Sequence, residues 1–141
     1  MASIPIYRKD FKALADVRVA EARILLANHK DQGAYYLAGY AVECALKACI
    51  AKKTKKSQFP PKVDDVREMY SHRLDKLSGV AGLDADLKKE IQTNPAFATN
   101  WSTVKDWTAE SRYRSSGLNG KDMYNAVAGT DGVLPWIRQR W

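Results

Sequence analysis

GAYYLAGYAVECALKACI, Gly33 to Ile50, is apolar along its whole length and charged only at Glu43 and Lys47. The apolar run from Gly33 to Ala51 is long enough to pass for a membrane span. A charge at the centre of a bilayer costs about 2.5–3.5 kcal/mol on insertion scales, and this segment holds two. The better reading is a buried helix of a soluble protein. At about 100° per residue, Ala34, Ala38, Ala41, Ala45 and Ala48 cluster on one side, where small side chains let another helix approach closely. Tyr36, Tyr40, Glu43 and Lys47 fall within roughly 60° of arc on the opposite side. The charges therefore extend a tyrosine stripe into a polar seam. That seam is either a solvent-facing Glu–Lys pair at i,i+4, worth a few tenths of a kcal/mol, or a polar cluster roofed by later parts of the chain.

Outward from this segment the apolar periodicity is helical almost everywhere. Phe11, Leu14, Val17, Glu21 and Ile24 recur at three- and four-residue steps from about Tyr7 to Asn28. His29 to Gln32 is a short polar turn, so the first two helices are antiparallel neighbours. The second runs to about Lys53 and is stopped by a polar run and by Pro60-Pro61. Asp64 or Asp65 can start one turn through Tyr70. Ser71 can cap a helix carrying Leu74, Leu77 and Ala81, and Asp84 the segment carrying Leu87 and Ile91. Asn94-Pro95 is a cap followed by a proline at the first helical position, ahead of Phe97, Trp101, Val104 and Trp107. Arg112 to Gly120 is loop, with Asn119 and Asp122 as a capping pair. The last helix carries Met123, Val127, Val133 and Ile137, and Pro135 should kink it near Gly132. No segment alternates with period two. The expectation is one all-α domain over residues 1–141, an antiparallel up-and-down bundle of four to five helices.

Charge and cysteine usage narrow the function classes. The net charge of +7 points to an anionic partner. The segment AKKTKKSQFPPK, Ala51 to Lys62, holds five lysines and no acid, which suits a solvated helix end as well as a phosphate contact. Cys44 and Cys49 lie on different sides of their helix without a CxxC or a His/Cys cluster. Reduced core thiols in a cytoplasmic protein follow, with no metal site and no cofactor. The N-terminus turns charged at once, unlike a signal peptide. No Gly-rich phosphate loop, zinc spacing or nucleophile elbow occurs.

The same oily segment resembles the second helix of the HEPN family (higher eukaryotes and prokaryotes nucleotide-binding domain), whose form is xAYYLAGYAVELxLKAxL. It follows AEARILLANHKD, similar to the end of that family's first helix. YSHRLDKL, Tyr70 to Leu77, resembles the family's SHdLxxL segment, and Trp107 with Arg112-Tyr113 resembles its W…RY. The likeness spans roughly Phe11 to Arg140. It implies a compact helical bundle, usually homodimeric, from prokaryotic cytoplasm. Members often act beside a small nucleotidyltransferase, frequently as toxin–antitoxin pairs. Some are metal-independent ribonucleases with an Arg-x4–6-His motif; others lack it and bind nucleotide or RNA.

Arg67 and His72 fit Arg-x4-His in form and are the candidates for catalysis. Their placement differs from the ribonuclease members: they precede the third helix rather than open a late one, and Glu68 follows the arginine in place of Asn, Asp or His. A nucleotide- or RNA-binding protein is therefore favoured, with an endoribonuclease toxin and a ligand-free helical scaffold as alternatives. Lys47, His72, Arg112 and Tyr113 are the candidate phosphate and nucleotide contacts, because a guanidinium fork grips phosphate and a ring stacks on a base. Tyr36, Tyr40 and Glu43 are expected to support the pocket, with Arg112 gripping the Glu43 carboxylate in two places. A homodimer is expected as well, from the tryptophans, the tyrosines and the scant polar face of the second helix.

Overall fold

The computed structural model describes residues 7–54 and 63–141, so Lys55, Lys56, Lys62 and Pro60-Pro61 lie outside the described residues. Two long helices, α1 (Arg8–Ala27) and α2 (Asp31–Thr54), form the backbone of the fold. His29, in the left-handed region at φ 61°, turns the chain between them. Asn28 closes the end of α1 by donating its side-chain amide to the Ile24 carbonyl at 2.8 Å. The connection is so short that α1 and α2 must pack side by side as an antiparallel pair.

α2 is the central element. It touches α1 and, from the second half of the chain, α4 (Leu74–Val80), a 3-10 turn (Ala109–Tyr113), α7 (Gly120–Ala128) and α8 (Val133–Arg138). A helix surrounded in this way must be apolar on most of its circumference, and Ala34, Ala38, Ala41, Ala45 and Ala48 are all fully buried. The oiliness of α2 is thus largely absorbed by the protein's own core. Among the described residues no helix is long and apolar enough to cross a membrane, and every element is helix, turn or coil.

The remaining helices are short: α3 (Val63–Met69), α5 (Asp84–Thr93) and α6 (Pro95–Lys105) complete the set. Asn94 caps α6 as its sequence suggests, accepting the Phe97 N–H at 3.1 Å. Asn119 does the same for α7, accepting the Asp122 N–H at 3.0 Å. Two other expected caps differ. Ser71 accepts the Arg73 N–H at 2.9 Å and so shapes the bend before α4, whose own N-cap position is Arg73. Asp84 is already helical and takes a hydrogen bond from the Ser78 hydroxyl at 3.0 Å. The last helix is broken rather than kinked: α7 ends at Ala128 and α8 begins at Val133 after the cap at Gly132. Pro135 therefore sits in the first turn of α8, where its missing N–H would have had no helical acceptor.

Candidate functional site

The site grows from one turn of α2. Glu43 is 3 % exposed, and its carboxylate has two partners from different parts of the chain. Lys47, one turn on, places Nζ 3.4 Å from Oε2. His72, from the bend between α3 and α4, places Nδ1 3.0 Å from Oε1. A buried carboxylate is costly unless paired and hydrogen-bonded, and here both oxygens are engaged. Lys47 keeps 19 % of its side chain exposed and His72 keeps 58 %, so the pair opens to water through its cationic and imidazole partners. The seam of α2 is therefore a polar cluster under later parts of the chain.

His72 lines a surface groove of about 630 Å³. Arg73 and Asp75, paired at 2.9 Å, continue the wall on the His72 side. The facing wall is the chain from the end of α6 into the 3-10 turn, Lys105 to Glu110. Trp107 anchors that wall in the core and is 1 % exposed. Its indole lies against Gly39 of α2, so closely that a Cβ at Gly39 would come within 2.1 Å of the ring. Tyr36 stacks on the same indole at 6.0 Å between centroids, and Tyr40 lies 5.9 Å beyond it. The tyrosine stripe of α2 thus seats the groove's far wall. Burial, then the neighbouring Cys44 and Glu43, pushes the Tyr40 hydroxyl up to about 12.

Other expected site residues fall elsewhere. Arg112 does not grip Glu43: His72 occupies that position, while the Arg112 guanidinium rests over the Tyr113 ring at 4.8 Å. Arg112 and Tyr113 are both exposed, on the 3-10 turn just past the residues that wall the groove. The Tyr113 hydroxyl foremost, with Tyr36 also contributing, raises the Arg112 pKa above its ordinary value. Lys47 is committed to the Glu43 carboxylate and does not line the groove, and Arg67 is exposed on α3 and does not line it either. Gly39, Lys105 and Thr108 were missed by sequence reasoning. Only Gly39 carried a signal, since a glycine inside a helix costs about 1 kcal/mol relative to alanine and so calls for a packing reason. Among the described residues no cluster of three His, Cys, Asp or Glu side chains is placed to hold a metal ion.

A helix with this seam, the Ser71-His72 bend and the tryptophan-to-Arg112 turn occur together along one chain, and the profile of the HEPN domain family matches residues 9–139. The chain belongs to the HEPN domain family. Neither the curated proteins nor the solved structures contain a significant match to it. Within this HEPN domain the arrangement can hold an imidazole in one tautomer, with Nδ1 on Glu43 and Nε2 left for a ligand.

Proposed function

We propose that the protein is a nucleotide- or RNA-binding HEPN protein whose ligand enters the groove beside His72. The observation that carries this reading is the Glu43–His72 hydrogen bond: a buried carboxylate fixes a half-exposed imidazole that lines a groove. Fold stability alone does not call for it, since buried ion pairs contribute little net stability compared with apolar packing. Lys105 offers a hydrogen bond to a phosphate, Nε2 of His72 accepts one from a sugar hydroxyl or a base N–H, and the Thr108 hydroxyl offers one to a sugar or base. Equilibrium binding of labelled RNA tests the reading: His72→Ala and Lys105→Ala should each weaken binding about tenfold, the loss of one hydrogen bond. Unchanged affinity in both variants would remove the groove from consideration.

A second reading, a metal-independent endoribonuclease, is favoured by the same hydrogen bond, because a carboxylate-oriented imidazole is the usual form of a general base. Against it stands Arg67, which does not line the groove. Incubation with RNA in EDTA separates the two: cleavage abolished by His72→Gln supports the enzyme, and binding without cleavage supports the binding module.

The homodimer is proposed through α1. Ala13, Val17, Ala20, Ile24 and Ala27 recur at alternating four- and three-residue steps and are all exposed, Val17 at 50 % and Ile24 at 58 %. That spacing is the seam of a helix pair, and its natural complement is the same seam of a second copy. An action beside a small nucleotidyltransferase, in a toxin–antitoxin arrangement, is supported by family membership alone. Co-purification from the native host, with the partner identified by mass spectrometry, tests it.

A further inference from the structure

We propose that the end of the bundle where α1 begins and where α2 and α8 finish is a second binding surface, for the phosphodiester backbone of a single-stranded nucleic acid. This goes beyond the groove reading and does not depend on it. The groove itself has no positive excess: Arg73 and Lys105 share its lining with three acids, Asp75, Asp106 and Glu110. The opposite holds where the chain ends converge. The antiparallel hairpin brings Arg8, Lys9 and Lys12 to the same end as Lys52. Lys52 donates to the Arg140 carbonyl at 3.3 Å, and Arg8 donates to the Trp141 main-chain oxygen, so three distant segments are tied together. Aromatic rings hold the cations in place. Lys12 lies 5.3 Å and Arg138 5.8 Å from the Trp141 ring centre, and Arg140 lies 3.8 Å from that of Trp136.

Among the described residues, two of the three acids at this end are paired with arginines. Asp16 pairs with Arg138 at 2.8 Å, Asp86 with Arg140 at 3.6 Å, and Asp10 accepts the Tyr7 N–H at 3.3 Å. Set against the charge of Asp10, Arg8, Lys9, Lys12 and Lys52 leave an excess of three positive charges on ordered helix ends. Tyr7, 56 % exposed, joins Arg8, Lys9 and Lys12 around a pocket of about 390 Å³. Cations that track a backbone beside a ring that stacks on a base are the chemistry of single-strand binding. An anionic membrane surface fits less well, since Tyr7 is the one large exposed apolar side chain among the described residues of this end.

The test is fluorescence anisotropy with labelled oligouridylate of about 12 nucleotides, a length within the range of single-strand sites, titrated at several salt concentrations. Combined Lys9→Ala, Lys12→Ala and Lys52→Ala substitutions should lower the slope of log affinity against log salt by about 2, since each phosphate contact contributes roughly 0.7. Tyr7→Leu should weaken binding about tenfold, and Lys30→Ala, at the opposite end of the α1–α2 hairpin, should leave the salt slope unchanged. The proposal is overturned if the wild-type protein fails to bind the oligonucleotide at about 50 mM salt. It is also overturned if the triple variant, folded by circular dichroism, keeps the wild-type slope. Loss of binding to phosphatidylglycerol vesicles with RNA binding intact would overturn it in favour of a membrane surface. Should the triple variant unfold, Lys9→Glu on the exposed first turn of α1 provides the same readout.

Discussion

A Cβ at Gly39 would lie 2.1 Å from Cδ1 of Trp107, so one absent methyl group in the middle of α2 makes the slot that seats the groove's wall. Gly39→Ala should therefore destabilise the protein by about 1–3 kcal/mol, as overpacking does, although alanine is the better helix former by about 1 kcal/mol. Urea denaturation followed at 222 nm, together with the indole fluorescence, measures both the cost and the displacement of Trp107. Glu43→Ala belongs to the same scale. Burial of a carboxylate with an unrelieved cation would make its removal cost about 3–5 kcal/mol. His72 and Lys47 both reach water here, so the expected loss is that of buried charge-assisted hydrogen bonds, about 1.5–3 kcal/mol by the same urea measurement. The pairing of Glu43 with Lys47 in a polar pocket was legible because two charges on an apolar helix must find partners. Which side chain takes Glu43's second oxygen was not legible, since Arg112 and His72 satisfy the same chemistry and only the packed bend at Ser71 brings His72 close.

At the scale of single helices, α2 carries two buried thiols with no disulfide. Burial is the main cause that pushes Cys44 up to about 12 and Cys49 up to about 11, with Glu43 adding to the former. Both thiols should resist an aqueous disulfide reagent at pH 8 in the folded protein and react fully in denaturant. The sign of the stability effect follows. The folded state holds these protons more tightly than the unfolded chain, so the contribution is complete below about pH 8.5 and is lost as pH rises through 11 and 12. Thermal melts at pH 8, 10 and 11 should show a falling midpoint, whereas a flat midpoint would contradict the burial of Cys44. The capped ends of α6 and α7 were legible, because Asn94-Pro95 and the Asn119/Asp122 pair satisfy backbone donors locally. The break before α8 was misread as a kink. Pro135 tells only that a helical acceptor is lost, and the first turn of a new helix loses nothing by that.

For the whole molecule, the all-α architecture followed from helical periodicity alone, but the role of α2 did not. An apolar helix suits the centre of one chain or the interface of two, and only the packing of α1, α4, α7 and α8 around it decides for the centre. The exposed heptad-like seam of α1 is the face on which the proposed second copy would dock. Val17→Asp with Ile24→Asp should convert a dimer to a monomer in light scattering while leaving the circular dichroism spectrum unchanged; a monomeric wild-type protein at micromolar concentration would dispose of the dimer. The central claim is that nucleotide or RNA binds beside the Glu43–His72 pair. Backbone amide and indole chemical shifts, recorded by NMR while a short single-stranded RNA such as tetrauridylate is added, test it most directly. The expected result is saturable movement of the His72, Arg73, Lys105 and Thr108 amides and of the Trp107 indole, absent in His72→Ala. Groove resonances that stay in place while shifts occur only elsewhere would contradict it.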